Sequence, residues 1–181
     1  MTTRTPYRAA CLAFAAVVGV ASVAEALPAV GDVLPGLRLT DGWDRTLDLS
    51  KLGPEPVLVI YEDKDSSRQN VDLKHDLALL AKADRYKQGI ALVAIANVEG
   101  YDYWPMRGFV KDAINDEARK FDTPIYCDWN GTARRDLGAT LGVSNVILYG
   151  RGGRVLFSHE GKLAPGERKE ILGLLRKEVD H

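Results

Sequence analysis

The sequence predicts an α/β fold in which a central mixed β-sheet carries helices on both faces and an N-terminal β-hairpin extends the sheet. Two continuous runs rich in β-branched residues, 57–61 and 90–96, are typical of central strands covered on both faces. A helical segment lies between them, which predicts parallel strands joined by a helix. Two later apolar runs flank glycines, and this pattern indicates an antiparallel pair.

The N-terminal part of the domain, 27–56, is rich in turns. The alternating stretches 37–39 and 47–49 lie on either side of Asp41-Gly42 and predict a hairpin with one buried face. After the first central strand, a polar loop leads into a helix. Ser66 or Ser67 is expected to cap that helix, and Gly89 to end it.

The second half of the chain continues with alternating helices and strands. An irregular aromatic loop, 100–105, precedes a helix from about Pro105 to about Phe121. The remaining elements predicted from the pattern are a strand at 124–127, a short helix at 132–141, hairpin strands at 146–149 and 154–157, and a last amphipathic helix from about Pro165.

The first 26 residues have the pattern of a cleaved signal peptide. Arg4 and Arg8 form a positive region, an apolar run follows over 9–24, and Ala24-Glu25-Ala26 places small residues where signal peptidase requires them. The run is shorter than the ~20 residues of a membrane span. We therefore expect cleavage after Ala26, a domain over 27–181, a periplasmic or secreted location, and no membrane association after cleavage.

Composition excludes several classes of function. The 181 residues carry a formal net charge of −1, with acids and bases interspersed, whereas a nucleic-acid-binding protein needs a concentrated basic face. The three histidines lack metal-ligand spacing. The sequence therefore predicts no nucleic acid, no metal and no cofactor.

Several segments in collinear order resemble the redoxin group of the thioredoxin-like superfamily. The text VGDVLPGLRL (30–39) resembles the opening of alkyl hydroperoxide reductase/thiol-specific antioxidant and TlpA-like proteins. The segments 49–60, 124–142 and 146–157 are similar to later stretches of the same group. The C-terminal stretch also resembles the periplasmic YtfJ-like branch. This resemblance implies a thioredoxin-like fold for nearly the whole domain.

The chain departs from that group at the residues that carry its chemistry. Redox-active members have cysteine just after the first central strand, where helix-end amides stabilise a thiolate. The matching loop contains no sulfur, and the proline expected before the penultimate strand is replaced in Val143-Ser144-Asn145. Dithiol exchange requires a thiolate and a resolving thiol. We interpret the loop as a degenerate active site, formed by Asp63, Asp65, Ser66, Ser67 and Arg68.

Cys127 is the one cysteine left after signal cleavage, because Cys11 lies in the apolar run. One thiol cannot form an intramolecular disulfide. Cys127 is either a buried, inert residue or a catalytic residue acting through mixed disulfides. The sequence does not decide between the two.

Two further features suggest function. Asp63 and Asp65 form a D-x-D after a hydrophobic strand, as in metal-dependent phosphatases, although the later motifs of those enzymes have no match. Tyr101, Tyr103 and Trp104 are large amphipathic side chains in an irregular loop, and such residues either cover the sheet edge or form a contact surface.

The sequence therefore favours a non-enzymatic, exported thioredoxin-like module that binds an extracytoplasmic protein or peptide. The first alternative is a divergent redoxin with antioxidant or thiol-disulfide oxidoreductase activity through Cys127. The minor alternative is a metal-dependent phosphatase that uses the Asp63/Asp65 loop.

Overall fold

The computed structural model describes residues 26–52 and 54–181. The predicted signal peptide, apart from Ala26, lies outside the described residues. Within the described ranges, none of the helices combines the length and the apolar character that a membrane span requires.

A seven-stranded mixed sheet forms the centre of the molecule, in the order β2-β1-β5-β4-β3-β6-β7. The strands β3, β4 and β5 run parallel to one another. All the other neighbouring pairs, β2 with β1, β1 with β5, β3 with β6 and β6 with β7, are antiparallel. Their bounds are β1 Arg38–Asp41, β2 Thr46–Asp48, β3 Val57–Glu62, β4 Ala91–Asn97, β5 Ile125–Asp128, β6 Asn145–Tyr149 and β7 Val155–Glu160. A central strand such as β3 is buried throughout except at Glu62, in agreement with its continuous apolar sequence.

Helices cover the sheet on both faces, and the N-terminal hairpin forms one end of the sheet. The helices are α1 Val71–Leu80, α2 Asp84–Gly89, α3 Met106–Phe121, α4 Thr132–Asp136 and α5 Pro165–Asp180, and a short 3-10 helix follows β2 over Leu49–Lys51. One core lies on the face of the sheet that carries Leu39 of β1, and Leu137, directly after α4, is part of it. The other packs α1 and α5 against the opposite face through Leu73 and Ile171. The predicted fold class, with its N-terminal hairpin, is confirmed.

The hairpin turn owes its shape to Asp41, whose side chain is almost fully buried. Its Oδ1 accepts the backbone N–H groups of Trp43 and Arg45 at 2.9 Å each, and its Oδ2 accepts the Arg45 Nε at 2.7 Å. An aspartate that bonds to its own turn in this way favours turn formation. The Asp-Gly signal in the sequence therefore identified the turn correctly.

The start of the first helix was predicted wrongly. Neither Ser66 nor Ser67 caps it, because α1 begins only at Val71, with Asn70 at the N-cap position. The hydroxyl of Ser66 is held by Asp63 instead, and 64–70 form successive turns. The predicted segment up to Gly89 is also interrupted at 81–83, between α1 and α2. The helix predicted over 132–141 ends at Asp136.

Candidate functional site

The carboxyl ends of the parallel strands β3, β4 and β5 meet at one edge of the sheet. In open α/β sheets ligands bind outside this edge, because the loops that follow each strand converge there. The loop after β3 is the segment that we interpreted as a degenerate active site. The aromatic loop follows β4, and Trp129 and Asn130 follow β5.

Asp63 and Ser66 form a closed set of hydrogen bonds at the start of the loop after β3. The Asp63 Oδ1 accepts the Ser66 backbone N–H at 2.8 Å and the Ser66 hydroxyl at 2.7 Å. The Asp63 Oδ2 accepts the backbone N–H of Gly142 at 2.6 Å. Both carboxylate oxygens are therefore occupied by groups of the chain itself.

The ionisation of Asp63 reflects these contacts. Partial burial raises the pKa of its carboxyl, but the hydrogen bonds from Gly142 and Ser66 outweigh burial, so the pKa lies below its usual value. Asp63 is consequently a charged structural acceptor at neutral pH.

The segment just before β6 is bound to the same loop by a side-chain amide. Gln69 donates through Nε2 to the Gly142 carbonyl at 3.0 Å, and its Oε1 accepts the Ser144 N–H at 2.9 Å. Glu62 accepts the Ser144 hydroxyl at 2.7 Å and the Lys74 ammonium at 2.6 Å. We call this set of contacts between the loop after β3 and residues 142–144 the polar clasp.

Asn145, the first residue of β6, is fully buried and binds the segment that carries residues 142–144 of the clasp. Its amide nitrogen lies 2.9 Å from the carbonyl oxygens of both Thr140 and Val143, and its Oδ1 accepts the Thr140 N–H at 3.0 Å. The cis peptide bond of the described residues is Trp104-Pro105 and not in this segment. The segment Val143-Ser144-Asn145, in which the resemblance to redoxins led us to expect a proline, is instead held by side-chain hydrogen bonds.

The other residues of the predicted degenerate site take no part in the clasp. Asp65, Ser67 and Arg68 are exposed, and the Ser67 hydroxyl donates to the Lys64 carbonyl at 2.9 Å. Across the described ranges, no group of three or more His, Cys, Asp or Glu is placed to hold a metal ion. Because Asp63 faces Gly142 and Ser66, its D-x-D partner Asp65 does not share an open ligand site with it.

A second polar network, which our sequence analysis missed, lies at the ends of all three parallel strands. The buried Tyr61 hydroxyl donates to Asp128 Oδ2 at 3.0 Å and accepts from Asn97 Nδ2 at 2.7 Å. Asp128 also accepts the backbone N–H of Arg134 at 2.9 Å, which fixes the start of α4. The Asn97 side chain reaches Glu99, which accepts a bond from Arg134 Nε at 3.2 Å.

The protonation states of this network suit its hydrogen bonds, with Tyr61 as a neutral donor and Glu99 as a charged acceptor. Burial, and then the charge of Asp128, raise the pKa of the Tyr61 hydroxyl, so that it stays protonated and remains a donor. The hydrogen bond from Asn97 and the ion pair with Arg134 hold the pKa of Glu99 below its usual range. The sequence contained one sign of this network. The apolar strands β4 and β5 each end in a polar residue, Asn97 and Asp128.

Cys127 lies on β5 and is buried, with 5% of its surface exposed. Burial, and then the charge of Asp41, raise the pKa of the thiol to about 11. A reactive cysteine has a lowered pKa and access to solvent, because the thiolate is the nucleophile. The environment of Cys127 therefore disfavours the redoxin alternative.

We predict that the Cys127 thiol is protected in the folded protein. With Cys11 changed to Ser, a thiol-specific reagent should react at least about 100-fold more slowly with the native protein than with the urea-unfolded chain. The reason is that the native thiol is both inaccessible and mostly protonated. The measurement is the absorbance change of the reagent with time at neutral pH. Equal rates in the two states would contradict the burial and favour a catalytic Cys127.

The aromatic loop after β4 faces solvent. Trp104 is 91% exposed, Tyr103 57% and Tyr101 42%, and Phe109 on the next turns of α3 is 65% exposed. The sequence left open whether these side chains cover the sheet edge or form a contact surface. In the structure the three loop side chains are exposed and do not pack inward. We call these four residues the aromatic surface.

Charged side chains fix the aromatic surface to the rest of the edge. The Arg107 guanidinium lies 4.6 Å from the centroid of the Trp129 ring and bonds to Asp102. Lys111 bonds to Asp44 in the hairpin turn at 2.6 Å. A shallow depression of about 410 Å³ lies between the loop and α3, bordered by Tyr103, Trp104 and these two cations. The aromatic surface is therefore bordered by two cations that are each paired with an aspartate, Arg107 with Asp102 and Lys111 with Asp44.

One family has a sequence model that matches the chain. It is described as "Bacterial protein of unknown function (YtfJ_HI0045)", and its match covers residues 61–178. The matched range includes the polar clasp, the aromatic surface and Cys127. None of the curated proteins matches the chain.

Solved structures with the same fold include redoxins. A hypothetical protein, SMc02350 from Sinorhizobium meliloti 1021, is 19% identical with a TM-score of 0.63, and the alignment covers 84% of this chain and 85% of that one. The exposed lipoprotein thioredoxin Etrx1 of Streptococcus pneumoniae is 16% identical with a TM-score of 0.58 over 78% and 98%. Peroxiredoxin Q of Xanthomonas campestris is 16% identical with a TM-score of 0.58 over 82% and 99%. At these identities the similarity establishes the thioredoxin-like fold alone.

Proposed function

Because the chain belongs to the bacterial YtfJ_HI0045 family and has a thioredoxin-like fold, we propose that it acts outside the cytoplasm as a protein- or peptide-binding module without dithiol chemistry. The observation that carries this proposal is the aromatic surface. A tryptophan that is 91% exposed beside two exposed tyrosines is unusual on a protein surface unless it meets a partner.

The polar clasp supports the non-enzymatic part of the proposal. The loop where the resemblance to redoxins predicts cysteine, best matched at Asp65 and Arg68, contains no sulfur. Within that loop Asp63 bonds to Ser66 and to Gly142. The one cysteine of the described residues is buried and has a raised pKa. Neither residue set offers a thiolate to solvent, and thiol exchange needs one.

The location outside the cytoplasm rests on the signal-peptide pattern of residues 1–26. A structural neighbour, the pneumococcal thioredoxin, is described as an exposed lipoprotein. A lone protected cysteine also suits an oxidising compartment, where an exposed thiol would form unwanted disulfides.

We predict that Trp104 is the main contact residue for the partner. In a crosslinking pull-down from the envelope fraction, Trp104→Ala should reduce the recovered partner about tenfold or more, because a central exposed aromatic residue dominates such interfaces. The readout is the amount of each co-purified protein by quantitative mass spectrometry.

The matched control is Phe121→Ala. Phe121 is 57% exposed and is the last residue of α3, whereas Trp104 lies just before the first residue of that helix. Its removal therefore changes an exposed aromatic residue away from the aromatic surface. Equal recovery with both variants would refute the role of Trp104. Asp65→Ala tests the loop after β3 separately, since Asp65 is exposed and lies outside the clasp. Loss of partner with that variant would extend the surface to the loop.

A further inference from the structure

The polar network around Tyr61 lies where the aromatic loop leaves the sheet. The strand register pairs Tyr61 with Ile95 and Asn97 with Asp128. Because side chains two residues apart on a strand share a face, Tyr61, Asn97 and Asp128 lie on the same side of the sheet. The Tyr61 hydroxyl reaches Asn97 at 2.7 Å and Asp128 at 3.0 Å. A side chain of β3 therefore holds the last residue of β4 directly.

Asn97 transmits this restraint to the backbone of the loop. Its Oδ1 accepts the Glu99 N–H at 3.0 Å, and its Nδ2, which donates to Tyr61, also lies 3.1 Å from Glu99 Oε2. An asparagine that bonds to the backbone two residues further on fixes a turn. The bond from Asn97 to Tyr61 thus orients the side chain that sets the direction in which the chain leaves β4.

Glu99 is fixed from a second side by the segment after β5. Its carboxylate accepts a hydrogen bond from Arg134 Nε at 3.2 Å. Gly131 has a φ of 68°, and a Cβ at this position would overlap the Glu99 carboxylate. Glycine therefore permits the close approach of Glu99 to the start of α4, and the first residues of the loop are held from both β3 and α4.

Backbone hydrogen bonds extend from this turn to the exposed aromatic residues. The Tyr101 N–H donates to the Val98 carbonyl at 3.2 Å, the Tyr103 N–H to the Tyr101 carbonyl at 2.9 Å, and the Arg107 N–H to the Tyr103 carbonyl at 2.9 Å. Trp104 lies within the last of these turns and is 91% exposed. Since so little of its side chain is packed, its placement depends on the backbone of the loop.

We propose that Tyr61 is a positioning residue of the aromatic surface. Its hydroxyl acts through Asn97 and holds the loop after β4 in the conformation that presents Trp104 to a partner. This inference rests on the proposed function and adds to it the residue that orders the contact surface before binding. A surface that is already ordered binds more tightly, because less conformational entropy is lost on association. Phenylalanine at position 61 would fill the same core space without holding Asn97.

Tyr61→Phe is the first test, since it removes the hydroxyl and keeps the ring. Measured by mass spectrometry, hydrogen–deuterium exchange of the peptide covering 98–104 should become about tenfold faster, with β7 and α5 unchanged. The matched control is Tyr149→Phe. The Tyr149 hydroxyl is buried and has no hydrogen-bond partner among the described residues, so its removal should leave exchange of this peptide unchanged.

Asn97→Ala tests the second step, and it replaces the first variant if circular dichroism shows that Tyr61→Phe does not fold. It should accelerate exchange of the 98–104 peptide at least as much. Adding Tyr61→Phe to it should change the rate by less than about twofold, because Tyr61 acts through Asn97. The proposal is overturned if either single variant leaves this peptide unchanged, if exchange in β7 rises equally, or if the two effects multiply in the double variant.

Partner recovery in the envelope pull-down separates this proposal from the proposed function. Tyr61→Phe should lower recovery about threefold or more, whereas Tyr149→Phe should keep it at the wild-type amount. If Trp104→Ala loses the partner and Tyr61→Phe does not, the positioning role is overturned. If Trp104→Ala loses nothing, the proposed function fails, and the exchange of the 98–104 peptide still decides whether Tyr61 positions the loop.

Discussion

Asn145→Ala is expected to lower the free energy of unfolding by about 2–3 kcal/mol, because it removes three part-buried hydrogen bonds that hold the segment before β6. Asn145 is fully buried and bonds to the N–H and C=O of Thr140 and to the C=O of Val143. Alanine at this position satisfies none of these groups. The same change should loosen the segment that carries the polar clasp.

Urea denaturation followed by circular dichroism measures this effect. The control is Asn130→Ala, since Asn130 is exposed and its side chain accepts a single bond, from the Thr132 N–H at 3.1 Å. The control should cost no more than about 1 kcal/mol. A similar cost for both variants would mean that the asparagine before β6 does not organise the segment.

Asp63→Asn is expected to destabilise the protein by about 2 kcal/mol at neutral pH, and the difference should disappear in acid. Both Asp63 oxygens accept hydrogen bonds, one from Ser66 and one from Gly142. In the asparagine variant an NH2 group replaces one of these oxygens, and this donor would then lie against the N–H donor of Ser66 or Gly142. The contacts lower the pKa of Asp63 in the folded state. The stabilisation is therefore fully present above the unfolded pKa, near 3.8, and is lost as the pH falls through the lower folded value.

The measurement is the free energy of unfolding of both proteins from about pH 7 downwards through the usual carboxyl range and below it. Asp65→Asn is the matched control, because Asp65 lies two residues away and is exposed. It should change stability by less than about 0.5 kcal/mol at every pH. A difference for Asp63→Asn that stays constant into acid would show that its charge does not stabilise the clasp.

Much of the fold could be predicted because the pattern that specifies it is local. The runs at β3 and β4 are apolar without interruption, and Asp41-Gly42 marks a turn that Asp41 itself stabilises. The boundary of α1 was wrong for a tertiary reason. Ser66 is a favoured capping residue, but Asp63 binds its hydroxyl, and Asp63 is in turn fixed by Gly142 from a distant part of the chain.

The candidate site was predictable only in part. The lack of sulfur after β3 follows from the sequence itself, and the exposed aromatic loop was one of two open interpretations. The contacts that define the site join residues 79 apart in the clasp and 67 apart in the Tyr61–Asp128 bond. Such pairings depend on strand order and register, which no local spacing reveals.

Under the proposed export, the burial of Cys127 would affect how the newly translocated chain matures. In an oxidising compartment, thiols that stay exposed are joined to other thiols, and an unfolded chain exposes Cys127 while the native one conceals it. The competition between folding and oxidation then decides the fate of each molecule. Under that proposal, chains that bury β5 quickly would escape crosslinking, and slow or destabilised chains would be trapped as mixed disulfides.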